Sequence, residues 1–173
     1  IDIDDDGLIP ESLDEACRRG TIKVLVTVPD IHNPTTATQP LHRRQQIARV
    51  ADKHRLTIIE DAVYAGLLAD RQSSITDLTE ARSIRGVGLS KTVGPGLRIG
   101  YLDAPLSLKD QLVGALRATS WMASPMQAEV AKRMILDGTA GKILSENADE
   151  LLRRNAVVQS VLSGFDVRTA PSS

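Results

Sequence analysis

Cysteine is almost absent from this chain. Cys17 is the one cysteine in 173 residues, so no internal disulfide can form. Histidine is scarce as well, and His32, His42 and His54 fall at no zinc-ligand spacing, so no metal site is expected. This usage points to a reducing, cytoplasmic setting. Neither sign of charge is in excess. With 21 Lys and Arg against 22 Asp and Glu, the formal net charge is −1, which removes any broad electrostatic case for nucleic acid or an acidic membrane as a partner. No apolar run approaches the ~20 residues of a membrane span. What is present is ordinary: 42% hydrophobic and 25% charged residues place the chain among globular proteins. The sequence opens without methionine in the acidic stretch Ile1-Asp2-Ile3-Asp4-Asp5-Asp6-Gly7, and stops at Pro171-Ser172-Ser173. A piece of a longer protein is the expectation.

The order of elements reads strand, helix, strand, strand, strand, then three helices. Ile22 to Val28 is a β-branched run ended by Pro29, which predicts a mostly buried strand. Residues 29–40 carry turn chemistry and no helical period. A helix is predicted from about Pro40 to His54, with Ile47, Val50, Ala51 and His54 on one side and Arg43, Arg44 and Arg49 toward solvent. Further strands are predicted at Leu56 to Glu60, Ile84 to Leu89 and Leu97 to Leu102, with a tight loop at Gly94-Pro95-Gly96. Helices follow at Leu106–Ser120, Pro125–Asp137 and Ala140–Leu162, with Gly138 breaking the last two apart. In the final helix Leu144, Ala148, Leu151, Leu152 and Leu162 form an apolar stripe. Strands separated by helices predict an α/β fold with a mostly parallel sheet flanked by helices. Ligands of such sheets sit beyond the carboxyl ends of the strands. Asn33, Asp61 and Lys91 each follow a different predicted strand there.

Those residue types suit one kind of site. A pocket lysine can condense with an aldehyde cofactor, and pyridoxal 5'-phosphate (PLP) requires four supports. A carboxylate must keep the pyridine nitrogen protonated, partners must hold the ring hydroxyl, cations and hydroxyls must bind the phosphate, and the lysine must carry a proton. Asp61, Asn33 with Tyr64, Arg98 with Ser90, and Lys91 supply these types in turn. Each alone has a plainer role: Asn33-Pro34 as a turn, Asp61 as a helix cap, Tyr64 as packing, Lys91 and Arg98 as surface cations. Their order and context together carry the reading.

Three segments resemble signatures of the class I/II aminotransferases, of PLP fold type I: Pro29-Asp30-Ile31-His32-Asn33-Pro34-Thr35, Ile58-Ile59-Glu60-Asp61-Ala62-Val63-Tyr64, and Ser90-Lys91-Thr92-Val93-Gly94-Pro95-Gly96-Leu97-Arg98-Ile99-Gly100-Tyr101. The resemblance implies that Lys91 is the Schiff-base lysine and proton shuttle. It implies that Asp61 pairs with the pyridinium, that Asn33 and Tyr64 bind the ring oxygen, and that Ser90 and Arg98 hold the phosphate. Arg98 suits that task because its guanidinium is planar and always charged. Lys91, Asp61 and Tyr64 are thus the catalytic candidates, and no metal takes part. Thr36 stands where the signature often has glycine, and Ala62 where a second aspartate is common.

The second half is similar to MocR-type regulators, which join a GntR-like winged helix-turn-helix to an aminotransferase-like domain. The similarity lies in Gly88-Leu89-Ser90-Lys91, Thr119-Ser120-Trp121-Met122-Ala123-Ser124-Pro125, Glu129, Asp137-Gly138-Thr139-Ala140, Glu150 and Arg154-Asn155. Gly88 replaces a serine common three residues before the lysine of ordinary aminotransferases. On this resemblance residues 1–139 form part of a PLP-binding large domain, and 140–173 form a linking helix and the start of a small domain. A glycine-rich phosphate loop, a ring-stacking aromatic and the arginine for the substrate carboxylate are expected outside this stretch. The implied partners are an amino acid and a 2-oxo acid, a second copy in a homodimer, and DNA only through a separate domain, with no membrane. Three roles compete: an aminotransferase, the effector-sensing domain of a transcription regulator, and a degenerate piece that keeps the fold without the cofactor.

Overall fold

The computed structural model describes residues 1–20 and 22–165. The chain opens with a small antiparallel pair, β1 (Ile3–Asp4) and β2 (Gly7–Leu8). Gly7 turns it at φ +86°, and a Cβ there would lie 3.0 Å from the Gln39 side chain. Helix α1 (Pro10–Arg19) follows, with proline in its first turn, Glu11 near its positive end and Arg18 and Arg19 near its negative end. This helix is missing from the predicted order; Leu13 and Pro10 are its buried side chains among ten residues.

Strand β3 (Val24–Thr27), helix α2 (Leu41–His54) and strand β4 (Thr57–Asp61) come next. A short helix α3 (Ile75–Leu78) leads into β5 (Ser83–Gly88). A single turn α4 (Leu89–Thr92) precedes β6 (Gly100–Asp103). The sheet order is β3-β4-β5-β6, with the first three strands parallel and β6 antiparallel to β5. Three helices follow: α5 (Lys109–Ser120), α6 (Pro125–Leu136) and α7 (Thr139–Leu162). Gly138, at φ +83°, separates the last two as the sequence predicts. The mostly parallel sheet flanked by helices is the expected α/β architecture. The predicted strand at Leu97 to Leu102 starts later, because residues 95–97 form a 3-10 turn.

One face of the sheet is packed. Leu25 and Ile58 point into a core completed by Leu13 of α1, Ile47, Ala48 and Ala51 of α2, Leu56, and Ile75 of α3. Ile47, Ala48 and Ala51 repeat at the spacing of a single helix face. Each fully buried aliphatic side chain here contributes about 1.5–3 kcal/mol. The other face is open: Val26 and Leu102 are 65% and 62% exposed. Strand β3 is therefore half-buried, with alternating exposure, and not the mostly buried strand its composition suggests. The apolar stripe of α7 is likewise partly uncovered, since Leu151 and Leu152 face solvent.

Arg44 overturns a further expectation. It sits on the buried face of α2 with its side chain 0% exposed, paired with Asp30. Its Nε donates to the Gln39 carbonyl at 2.8 Å, and its terminal nitrogens donate to the carbonyls of Pro29 and Ser73. Arg43 is mostly covered too, and pairs with Asp4 at 2.9 Å. Apolar periodicity places a helix face, but it is blind to an arginine whose counter-ion lies on another element.

Asp14 joins α1 to α2 by accepting from Lys53 Nζ at 2.7 Å and His54 Nε2 at 2.6 Å. The Lys53 hydrogen bond, then that of His54, lower its pKa from 3.8 to about 2. A depressed carboxylate stabilises the fold fully above its unfolded value and loses that contribution as pH falls through the folded one. Asp14→Asn should therefore flatten the loss of stability between pH 3.8 and about 2, read as denaturant midpoints across that range. Arg44→Met, which strands Asp30 in the interior, should cost about 3–5 kcal/mol in urea unfolding.

Candidate active site

The parallel strands deliver the chemistry to one end of the sheet. Asp61 is the last residue of β4 and pairs in register with Gly86 of β5. One of its oxygens accepts from the Val63 amide at 3.1 Å, which turns the chain off the strand. Among the described residues its other oxygen takes no hydrogen bond. Tyr64 follows, at the head of a 3-10 turn at Ala65–Leu67.

Lys91 lies in α4, one turn beyond β5. Its Nζ sits 5.7 Å from the centroid of the Tyr64 ring, near enough for a weak cation–π attraction. The segment 89–99 leaves the sheet and returns to it: the Leu89 amide donates to the Ile99 carbonyl at 3.0 Å, and Gly88 pairs with Gly100. Arg98 therefore comes back beside Ser90, donating to its Oγ at 3.4 Å. Arg98 holds φ +51°, left-handed for a residue with a Cβ, so the reversal falls on it and not on Gly94 or Gly96. Such strain costs roughly 1–2 kcal/mol, and it concentrates at functional positions.

Asn33 stands apart. It is exposed on the loop between β3 and α2, its peptide to Pro34 is cis, and it makes no hydrogen bond to the other candidates. Two further residues of that loop, Ile31 and Thr36, have positive φ. Thr36 at φ +61° explains why glycine suits this place in the signature. The structure thus brings Lys91 to Tyr64 and Ser90 to Arg98, sets Asp61 on the adjacent strand end, and leaves Asn33 without a polar link to them.

Among the described residues neither Lys91 nor Arg98 has a carboxylate in ion-pair reach, as is also true of Lys23, Arg49, Arg55, Arg71, Arg82, Lys109 and Arg117; what sets the two apart is their contacts, Lys91 with Tyr64 and Arg98 with Ser90. Two positions invisible to motif reading support this loop. Gln127 of α6 donates to the Gly96 carbonyl at 3.2 Å, and Asn147 of α7 to the Thr92 carbonyl at 3.0 Å. Among the described residues no group of three or more His, Cys, Asp or Glu could hold a metal ion, and no helix is long and apolar enough to cross a membrane.

Residues 3–172 match the family described as aminotransferase class I and II. The chain belongs to the class I and II aminotransferases. Its relatives within the family are of two kinds. It is 32% identical over 165 residues to the HTH-type transcriptional regulator YdeF of Bacillus subtilis, covering 95% of this chain and 36% of that protein. It is 36% identical over 151 residues to aminotransferase swnA of Metarhizium robertsii, covering 78% of this chain and 30% of the other. Among solved structures, Pyrococcus horikoshii kynurenine aminotransferase, crystallised with PMP, superposes with a TM-score of 0.90 at 25% identity, over 99% of this chain and 45% of that one. Aminotransferase Aro8 from Candida albicans gives 0.84 at 26% identity, over 96% and 41%. This aminotransferase-family chain spans about a third of the curated relatives named and under half of the solved ones.

The strained Thr36 offers a direct check on the loop. Thr36→Gly removes a left-handed penalty of roughly 1–2 kcal/mol and adds a chain-entropy cost of roughly 0.5–1 kcal/mol. The variant should be more stable by up to about 1.5 kcal/mol, seen as a raised thermal midpoint.

Proposed function

We propose that this chain is the lysine-bearing part of a PLP-dependent aminotransferase that moves an amino group between an amino acid and a 2-oxo acid. The single observation that carries this reading is the convergence of Lys91, over Tyr64, and Arg98, beside Ser90, at the sheet end where a half-buried Asp61 closes β4. A phosphorylated aldehyde with a basic ring nitrogen offers what those groups lack: an anion for Arg98 and Ser90, an electrophile for Lys91, and a cation for the free oxygen of Asp61. The donor set fits the cofactor. PLP when bound supplies an electron sink for the carbanion formed at the substrate α-carbon.

The chain's own residues do the rest. Arg98 and Ser90 bind the phosphate through a charged fork and a hydroxyl. Asp61 would pair with the ring nitrogen and hold a proton there. Tyr64 and Asn33 would hydrogen-bond the ring hydroxyl. Lys91 Nζ, directed by the Tyr64 ring, takes and returns the α-proton. Gly88 contributes no hydroxyl, although a Cβ there would meet only ordinary contacts, so the phosphate depends the more on Ser90 and Arg98. Residues 1–139 then act as part of the cofactor-binding domain, with 140–173 leading into a smaller one. Residues 166–173 lie outside the described residues.

A second reading has its own support, since one of the two curated relatives above is an HTH-type regulator. In it the same site binds PLP and a ligand amine to shift a conformational equilibrium, and DNA is met by a separate domain. Either role suits a homodimer, and the exposed Trp121, Met122 and Met126 offer apolar surface for one.

Incubating the full-length protein with PLP, reducing with borohydride and mapping peptides should place a phosphopyridoxyl label on Lys91, with no visible cofactor band in Lys91→Ala. Labelling at other lysines alone overturns the assignment. Amino transfer to a panel of 2-oxo acids then separates the two roles: turnover supports the enzyme, and label without turnover supports the sensor.

A further inference from the structure

Helix α7 touches both chemistry-bearing segments at one point. Asn147 Nδ2 donates to the main-chain carbonyl of Thr92, the residue after Lys91, at 3.0 Å. Leu144, one turn earlier, packs on Gly66, two residues after Tyr64: a Cβ there would lie 3.5 Å from Leu144 and 3.2 Å from the Thr92 methyl. Thr92 is therefore held three ways, by Asn147 at its carbonyl, by the Gly66 backbone at its methyl, and through its hydroxyl, which donates to the Gly88 carbonyl at 3.2 Å. Its segment needs such support, because α4 is a four-residue turn that cannot sustain itself.

We infer that Asn147 is a positioning residue for Lys91: by fixing the Thr92 carbonyl it sets the direction of the lysine side chain over Tyr64, and it couples the orientation of α7 to the reactive amine. The inference rests on the reading of Lys91 given above. The Thr92 carbonyl lies at the open end of α4, where helical carbonyls have no partner within the turn. The amide of Asn147 supplies that partner from a helix 55 residues away in sequence. The hydrogen bond is partly buried, so water replaces it poorly. Beyond this contact α7 carries exposed Leu151, Leu152, Val157, Val158 and Val161. Anything that grips that half of the helix pulls on Thr92 and alters the amine.

The test compares Asn147→Asp and Asn147→Ala with the unsubstituted full-length protein. A carboxylate has nearly the shape of the amide but cannot donate to a carbonyl, so N147D isolates the hydrogen bond. Both variants should raise amide exchange across residues 89–97 roughly fivefold, the loss expected for one net hydrogen bond. Exchange in α2 should stay unchanged, which separates local loosening from global unfolding. The rate of borohydride-trapped PLP labelling at Lys91 should fall severalfold in the same variants. Unchanged exchange in 89–97 overturns the inference, and so does faster exchange with an unchanged labelling rate. A protein whose Lys91 takes no label in any form fails on the functional reading and takes the positioning role with it. Normal labelling of the unsubstituted protein with unaltered variants strikes Asn147 alone.

Discussion

The buried ion pair of Arg44 and Asp30 is the interaction on which the rest of the architecture depends. A guanidinium removed from water is tolerated only when its donors are met, and here they are met by Asp30 and by the carbonyls of Pro29, Gln39 and Ser73. Each partner lies in a connecting segment. The arginine therefore ties the loop carrying Asn33 to helix α2 and draws the approach to α3 against both. Glu60 is its counterpart of opposite sign: fully buried, it accepts from Ser74 Oγ and from the Thr76 amide. Segment 73–76 is thus clipped by one cation and one anion directly behind the strand end that presents Asp61. The candidate site stands on charges buried behind it.

How much of this could be read in advance follows from where the information lies. The parallel strands, the helices after them and the break at Gly138 are local patterns of apolar and turn residues, and the sequence displays them openly. Lys91, Ser90 and Arg98 share one short segment, as do Asp61 and Tyr64, so their grouping was legible before any geometry. Arg44 was misjudged because its partner Asp30 belongs to another element, and composition alone makes an arginine on a helix look solvated. Helix α1 escaped notice although its signals are local: proline and glutamate in its first turn, arginines in its last, and Leu13 and Cys17 one turn apart on its inner face. Asn147 gave no signal: a single polar residue on a long helix acquires meaning only when the fold brings it to Thr92.

The open face of the sheet bears on the same point. Val26 and Leu102 are arranged as core residues without a core above them, and the relatives of this chain are two to three times as long. The packed face, with α1 to α3, holds the strands in register, while Asp61, two positions on from the half-exposed Ile59, belongs to the uncovered side. The packed core and the candidate site lie on opposite faces of one sheet.

The antiparallel course of β6 has a consequence for descent. Because β6 runs back from the end at which β5 stops, the amine of Lys91 and the guanidinium of Arg98 sit on one uninterrupted stretch of backbone, closed at its base by the pairing of Gly88 with Gly100. Such a stretch can be inherited, lost or transplanted as a single genetic unit. A lineage that keeps the fold and abandons the ligand would show it here first, with the two charges disappearing together.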